Sequence, residues 1–396
     1  MSPSTNVAII GAGPYGLSIA AHLRERGIEF RIFGSPLRAW RSQMPKDMFL
    51  KSEGFASNLY DPQGQFTLER FCADNNLPYA HHDSPVPLDT FTAYGIAFQK
   101  RLVAGLEEEL VTALKRVPEG FHLTLDNGET LAARRVVVAA GLSDFRQIPT
   151  ELAALPPKVF SHSVEHHDLS GFKGLDVSVI GGGSSALDVV ASLRACGAHA
   201  RLVARRPALK WNMPVKEHPW RRWYPASGLG GGWRNAFFEH APMVFRFLPQ
   251  ETRMDIVRRW LGPAGGWPAR RAVEQGPVLL GQTLRGAEYR DGRVQLRLSG
   301  RDGMETIVAT DHVIAATGYK VDLRRLAFLD KGVQAKLRTA EHTPILSPNF
   351  ESSVPDLYFV GLAAANTFGP VMRFLLGARY TARRLTRHFS QPVVAQ

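Results

Sequence analysis

The chain reads as an α/β protein made of two Rossmann-like dinucleotide-binding domains, each a parallel sheet with a β-meander, plus an aromatic-rich insertion. Two observations predict this. An apolar strand runs into a glycine loop twice, as Val7-Ala8-Ile9-Ile10-Gly11-Ala12-Gly13-Pro14-Tyr15-Gly16 and as Val177-Ser178-Val179-Ile180-Gly181-Gly182-Gly183-Ser184-Ser185-Ala186. Each loop is followed, after a similar length of chain, by an alternating hairpin and a closing apolar strand. The closing strands end in Ala139-Ala140-Gly141 and Ala316-Thr317-Gly318. One architecture used twice is the simplest account of that echo.

The loops are spaced G-x-G-x-x-G and G-x-G-x-x-A. One such loop is a weak signal, because glycines also make plain tight turns; a strand before and a helix after give it meaning. Gly11 and Gly181 turn the chain out of its strand. Gly13 and Gly183 let a pyrophosphate approach the backbone, and Gly16 and Ala186 let the helix lie close to the sheet. Pro14 opens the first helix, and Ser184 and Ser185 open the second. Phosphates would sit on free N–H groups there, where the helix dipole favours negative charge. Two such loops predict two dinucleotides on one polypeptide, with electrons passing between them.

Along the chain, residues 1–165 are expected to form the first part of an FAD-binding domain. Residues 170–318 form an NADPH-binding domain interrupted by an insertion at 207–277, and 319–396 return to the first domain. The first hairpin is Phe121-His122-Leu123-Thr124-Leu125, turning on Asn127-Gly128. The second starts at Arg293-Val294-Gln295-Leu296-Arg297-Leu298 and turns at Asp302-Gly303. Pro355-Asp356-Leu357-Tyr358-Phe359-Val360-Gly361 reads as a buried strand. A last helix is expected from about Pro370 to His388, with Pro in its first turn and Arg379, Arg383 and Arg387 on a solvated face. The insertion holds Trp211, Trp220, Trp223, Trp233, Trp260 and Trp267, six of the seven tryptophans. A cap over a site, a dimer contact and a locally packed excursion all fit such a segment.

At 396 residues the chain suits two or three domains, and 44% apolar with 21% charged content describes a globular protein. Cys72 and Cys196 are its two cysteines, too far apart in sequence for a C-x-x-C, so neither a dithiol centre nor a metal site is expected. The first strand begins within a few residues of Met1, and no stretch is apolar enough to span a bilayer. A cytoplasmic location is the expectation. The net charge of +12 suits anionic cofactors and an anionic substrate. No nucleic-acid motif accompanies it, so nucleic-acid binding is not expected. A homodimer is the expectation from base rates alone.

The nucleotides can be assigned. The second unit's second strand, Ala200-Arg201-Leu202-Val203-Ala204, ends in Arg205-Arg206. An acidic residue there reads an NAD ribose, whereas arginine reads the 2′-phosphate of NADP. NADPH is therefore expected at the second loop. FAD is then expected at the first, although Phe30-Arg31-Ile32-Phe33 ends in Gly34-Ser35 and lacks the usual carboxylate; Ser35 and Trp40 are the candidate contacts in that region.

These residues resemble the two-dinucleotide-binding-domain flavoproteins, and within them the single-component NADPH-dependent monooxygenases: N-hydroxylating, flavin-containing and Baeyer–Villiger enzymes. Asp311-x-x-x-Ala315-Ala316-Thr317-Gly318-Tyr319 is similar to the Asp-x3-(Leu/Phe)-Ala-Thr-Gly-Tyr motif of the N-hydroxylating group. Phe160-Ser161-His162-Ser163-Val164-Glu165-His166 resembles the F-x-G-x-x-x-H fingerprint, with His162 where glycine is usual. Met48-Phe49-Leu50-Lys51-Ser52 resembles a segment lining the flavin and substrate pocket, and Ser57-Asn58 a pair near the reactive flavin edge. The resemblance implies Lys51 and Asn58 as candidate catalytic residues. It implies FAD contacts at Gly141, Gly361, Asn366, Phe368 and Gly369, and NADPH contacts at Thr317, Gly318 and Tyr319. Asn366-Thr367-Phe368-Gly369-Pro370 would aim a helix N-terminus at the isoalloxazine.

The activity so implied is NADPH-driven reduction of FAD, reaction with O2 to a C4a-hydroperoxide, and N-hydroxylation or other oxygenation of a small, nitrogen-containing substrate. The cofactors carry that chemistry, and the protein supplies geometry and a dry pocket. Two other readings stay open: a flavoprotein reductase without oxygen transfer, and a non-catalytic FAD-binding redox sensor.

Overall fold

The computed structural model describes residues 4–212, 225 and 227–391. In the first half, β1 (Ser4–Ile10) runs through the glycine turn into α1 (Pro14–Glu25), and β2 (Phe30–Phe33) returns parallel to β1. The helices α2 (Arg38–Ser42), α3 (Leu68–Asp74) and α4 (Leu88–Leu102) lead to β3 (Leu106–Glu107). Next comes the expected meander, β4 (Val111–Val117), β5 (Gly120–Leu125) and β6 (Thr130–Val138). β6 then lies parallel to β1, giving the sheet order β3-β2-β1-β6-β5-β4.

The second half repeats the plan. β7 (Phe160–His162) and β8 (Asp176–Ile180) precede α5 (Ser184–Ala195) and β9 (His199–Ala204). The chain then leaves the sheet through β10 (Trp211–Asn212), α6 (Trp233–His240), α7 (Pro242–Phe245), α8 (Gln250–Arg259), β11 (Gly265–Gly266) and α9 (Trp267–Glu274). It returns as β12 (Val278–Leu280). The antiparallel strands β13 (Thr283–Arg290), β14 (Arg293–Ser299) and β15 (Glu305–Thr310) form their own sheet. β16 (His312–Ala315) closes a parallel five-stranded sheet of order β12-β9-β8-β16-β7. One face of that sheet is covered by α5 and α9, with Val179, Leu187, Val190 and Val273 in the interface. The meander covers the other face through Leu284, Leu296 and Leu298 against Ile180 and Val313.

The tail contains α10 (Lys331–Lys336), the hairpin β17 (Thr339–Ala340) and β18 (Thr343–Pro344), β19 (Leu357–Phe359), α11 (Ala365–Phe368) and α12 (Gly377–Phe389). β19 joins the first sheet parallel to β6, and α12 lies on α1. The last helix therefore starts later than the sequence suggests. Pro370–Arg373 is a separate 3-10 turn. Tyr15 explains the break: its hydroxyl donates to the carbonyls of Met372 (3.0 Å) and Phe374 (2.9 Å), and Phe374 is extended. A β-carbon on Gly377 would stand 2.2 Å from the Tyr15 hydroxyl oxygen, so the helix begins where only glycine fits. Arg379, Arg383 and Arg387 all face solvent.

The insertion interrupts the second sheet in sequence but packs on the first half in space. Leu229, Phe238 and Phe245 are buried in the same core as Val7, Ile9 and Phe359. Trp260 packs at its edge, and Trp233 is exposed. Trp220 and Trp223 lie outside the described residues.

Both glycine turns rest on one close approach. Gly11 has φ +111°, and a β-carbon there would stand 2.3 Å from the carbonyl oxygen of Ala139. Gly181 has φ +146°, with the carbonyl oxygen of Ala316 at 2.2 Å. Ala139 and Ala316 open the two Ala-x-Gly endings, so each closing strand is pressed directly on its loop. Gly13, by contrast, faces nothing within 4 Å among the described residues. Gly11→Ala should therefore lose about 3 kcal/mol of stability in urea denaturation. Gly13→Ala should stay within about 1 kcal/mol of the parent, because its φ is ordinary and its space is open.

Candidate functional site

The two loops open α1 and α5 with Gly13 and Gly183 at the N-cap, and no side chain caps either helix. The first-turn N–H groups are thus left for a ligand rather than for a capping side chain. Pro14 occupies the first helical turn of α1, where a missing N–H does no harm. Gly16 is required by contact: a β-carbon there would fall 1.9 Å from the Gly11 carbonyl oxygen. Gly141 (φ +74°) and Gly318 (φ +89°) follow the closing strands, with open space around each. The first loop is an open cradle of the kind a pyrophosphate fills.

At the end of β2 the expected carboxylate is absent. Glu107 is nearby, but its carboxylate is paired with Arg31, which also holds Glu129 at 2.8 Å. Ser35 is half-buried and makes no side-chain hydrogen bond among the described residues, and Trp40 leans on Phe91 with ring centres 5.6 Å apart. Further along, Gly361 (φ +65°) lies over the Tyr15 ring, and Gly369 (φ +93°) lies against the ring of Phe245 from the insertion. The Asn366 amide donates to the Thr343 hydroxyl (2.8 Å), and Phe368 stacks on Phe350 at 4.1 Å. The latter two side chains hold the segment in place; what this stretch offers a ligand is mainly backbone.

At the second loop, Arg205 is exposed and Arg206 is half-buried. Ser184 and Ser185 begin α5. Thr317 donates its hydroxyl to the Gln147 carbonyl, and Gly318 accepts from the Gln147 amide at 2.9 Å. Tyr319 meets the edge of His162 at 5.7 Å, and burial raises its phenol pKa. His162, at the fingerprint's glycine position, is fully buried. Its Nδ1 accepts from the Val164 amide (3.2 Å), and burial, then Arg146 and Arg325, lower its pKa to about 4. A neutral imidazole fills the space that glycine would leave open. On the other face of the same strand, the Ser161 hydroxyl joins the Nε2 atoms of His166 (2.6 Å) and His312 (2.7 Å). Burial lowers both imidazoles, that of His312 to about 4.

A small, open cleft lies where the halves meet, lined by Lys51, Ser52, Glu53, Asp83, Asn212 and Trp267, among others. Lys51 pairs directly with Asp188, a nearly buried carboxylate on α5, while the Asn212 amide donates to the Lys51 carbonyl at 3.1 Å. Asp188 was not foreseen; its only sequence signal is one acid among the apolar positions of Ala186-Leu187-Asp188-Val189-Val190. Asn58 is engaged locally at both ends of its amide: the nitrogen donates to the Phe55 carbonyl (2.8 Å), and the oxygen accepts from the Leu68 amide (2.7 Å) at the head of α3. The structure thus places Lys51 at the cleft and ties Asn58 to the backbone at Phe55 and Leu68. Cys72 is buried in the first half, and Cys196 ends α5 in the second. Among the described residues no helix is long and apolar enough to cross a membrane.

Comparison with known proteins follows the same outline. A family model described as pyridine nucleotide-disulphide oxidoreductase matches residues 8–221. Indole-3-pyruvate monooxygenase YUCCA1 of Oryza sativa subsp. japonica is 29% identical over 213 residues, covering 50% of this chain and 47% of the relative. A ferredoxin–NADP reductase of Thermus thermophilus is 25% identical over 224 residues, 52% of this chain and 55% of the relative. The chain spans about half the length of these curated relatives. Among solved structures, the ornithine N-hydroxylase of Kutzneria sp. 744, with reduced FAD, NADP+ and L-ornithine, superposes with a TM-score of 0.76 at 17% identity, covering 98% of this chain and 99% of that one. The two-domain fold is therefore shared along the whole length.

Two outcomes follow. Lys51→Met leaves Asp188 buried without its cation and should cost about 3 kcal/mol, while Lys51→Met with Asp188→Leu should recover most of that loss; a double-mutant cycle in urea checks both. The neutral histidines make stability depend on pH. Their ordinary value is 6.5, and His162 and His312 lie near 4 in the fold. Between those values the unfolded chain binds protons that the fold refuses. Stability is thus present above pH 6.5 and drains as pH falls toward 4. Denaturation midpoints at pH 7 and pH 5 should differ less in His312→Asn than in the parent.

Proposed function

This chain belongs to the pyridine nucleotide-disulphide oxidoreductase family, and from that membership we propose that it is an FAD- and NADPH-dependent monooxygenase acting on a small nitrogen-containing molecule. The carrying observation is the pair of uncapped glycine-loop helices, one in each of two sheets, with a cleft where the halves meet. The likeness of the whole chain to an ornithine N-hydroxylase solved with both nucleotides supports the reading.

FAD would lie on the first loop, its pyrophosphate against Gly11, Gly13 and Gly16. Ser35 and Trp40 would be toward its adenosine end, and Gly141, Gly361, Asn366, Phe368 and Gly369 along the remainder. When bound, FAD supplies hydride acceptance and oxygen activation. NADPH would lie on Gly181, Gly183, Ser184 and Ser185, with Arg205 and Arg206 on its 2′-phosphate and Thr317, Gly318 and Tyr319 beside the closing strand. Lys51, held by Asp188, presents a fixed cation at the wall of the cleft. Trp267 and Gly266 close that cleft on the insertion's side. Limiting water access is the contribution the protein itself can make to oxygen transfer.

The disulphide chemistry in the family's name lacks a pair of thiols here. Cys72 and Cys196 are free and lie in different halves. The ferredoxin–NADP reductase relatives favour a second reading, electron transfer to an acceptor protein without oxygen transfer. Oxygen uptake separates the two. A monooxygenase loaded with FAD consumes O2 with NADPH and forms a hydroxylated product when its amine is supplied, whereas a reductase passes electrons to ferredoxin and leaves the amines unchanged. Changing Arg205 and Arg206 together to Ala should raise the NADPH KM by about tenfold or more, each lost charge-assisted contact being worth about 1.5 to 3 kcal/mol, without raising the NADH KM. Unaltered coenzyme preference in steady-state kinetics would refute the assignment.

A further inference from the structure

We propose that the segment from Leu261 to Gly266 is a gate over the second glycine loop, opened by a phosphorylated pyridine dinucleotide, and that Arg206 is its latch. The inference rests on the reading that such a coenzyme binds at Gly181–Ala186.

The two loops provide an internal comparison. Over Gly13 there is nothing within 4 Å of a β-carbon position among the described residues. Over Gly183 the ring of Pro263 packs against that position, with Cβ at 3.2 Å and Cγ at 3.6 Å from it. The middle glycine of such a loop is bare so that a pyrophosphate can reach the backbone. A phosphate group and a pyrrolidine ring cannot share that volume. The first loop is open to its ligand, and the second is covered by a piece of the insertion.

Arg206 holds the cover. Its Cδ and Cγ lie over Gly182, 3.0 and 3.1 Å from a β-carbon position, and its guanidinium donates to the Pro263 carbonyl at 3.2 Å. Arg205, next to it, is exposed and has no ion-pair partner among the described residues. The arginine that would read a 2′-phosphate is thus occupied in holding the strap closed.

The strap is tied at both ends and loose between them. At its start, Arg373 of the tail donates to the carbonyls of Val257 (2.9 Å), Trp260 (3.0 Å) and Leu261 (3.1 Å). At its end, Gly265 pairs with the strand at Trp211, its amide donating to Lys210 at 2.9 Å, and is wedged against Leu187. Between these anchors, Leu261 has φ +50°, which is unusual for leucine, Gly262 has only the Arg259 carbonyl oxygen near its β-carbon position (3.7 Å) among the described residues, and Pro263 is exposed. Lifting Pro263 therefore uncovers almost no core.

The chemistry explains why the phosphorylated coenzyme should be the opener. A pyrophosphate must displace Pro263, which breaks the Arg206 contact. A 2′-phosphate then offers the released guanidinium a stronger, charge-assisted partner. A coenzyme without that phosphate must open the gate and leaves Arg206 with no new partner. The closed fraction lowers apparent affinity in proportion.

The test uses the flavin-loaded, full-length protein and NADP+. In stopped-flow tryptophan fluorescence, Pro263→Gly should bind NADP+ with an association rate about tenfold above the parent, because it no longer waits for the ring to move. An unchanged or slower rate would overturn the gate. The parent protein supplies an independent readout by hydrogen exchange. NADP+ should slow exchange at 181–186 and speed it at 261–264. Slowing at both segments would mean that the strap clamps the coenzyme, and would sink the proposal. No slowing at 181–186 would overturn the coenzyme assignment itself, and the gate with it.

Discussion

Everything in this molecule hangs on a backbone approach made twice: the first glycine of each loop pressed against the carbonyl that ends the closing strand. With φ positive and a carbonyl oxygen 2.3 or 2.2 Å from where a side chain would start, Gly11 and Gly181 admit no substitute without rearrangement. The contact sets the height of each helix start above its sheet, and so the position of the uncapped N–H groups. It also explains why loop and Ala-x-Gly ending travel together. They are two sides of one joint, reinforced by the amides of Ala139 and Ala316 donating to Ile10 and Ile180, each at 2.8 Å.

The halves are held together by a few polar ties rather than by one shared core. Lys51 meets Asp188, Lys46 meets Asp168 at 3.0 Å, and Gln147 is hydrogen-bonded at both ends to Thr317 and Gly318. The insertion adds a bridge of another kind. It leaves the second sheet after β9, contributes Phe238 and Phe245 to the first half's core, and returns past the second loop. Arg373, largely removed from water, caps the end of α8 and fixes that bridge from the tail. Site and bridge are therefore mechanically connected. Chain that covers the second loop is continuous with chain that seals the first half.

Much of the architecture was legible because it is written in local terms. Glycine spacing, β-branched runs and Asn-Gly turns each act over a few residues. The two sheets, their meanders and the return of Leu357–Phe359 could therefore be read directly. The end of the chain was not local in this sense. Proline at 370 resembles a helix start, but Tyr15, more than 350 residues earlier, takes the carbonyls that would have continued the helix. Asn58 is likewise a candidate catalytic residue in the sequence, and only the fold reveals that its amide nitrogen and oxygen hold the backbone at Phe55 and Leu68.

By itself, then, the order of residues determined that there are two nucleotide-binding folds, which loop belongs to each, and that Arg205-Arg206 directly follow the second strand of the second fold. Those features depend on neighbours along the chain, where geometry follows from covalent connection. Tertiary structure alone decided that Asp188 faces Lys51, that His162 fills the fingerprint's empty place, and that Pro263 covers Gly183. Each is a contact between segments distant in sequence. Their meeting is set by how two sheets and an insertion share burial, and no spacing of residues encodes it.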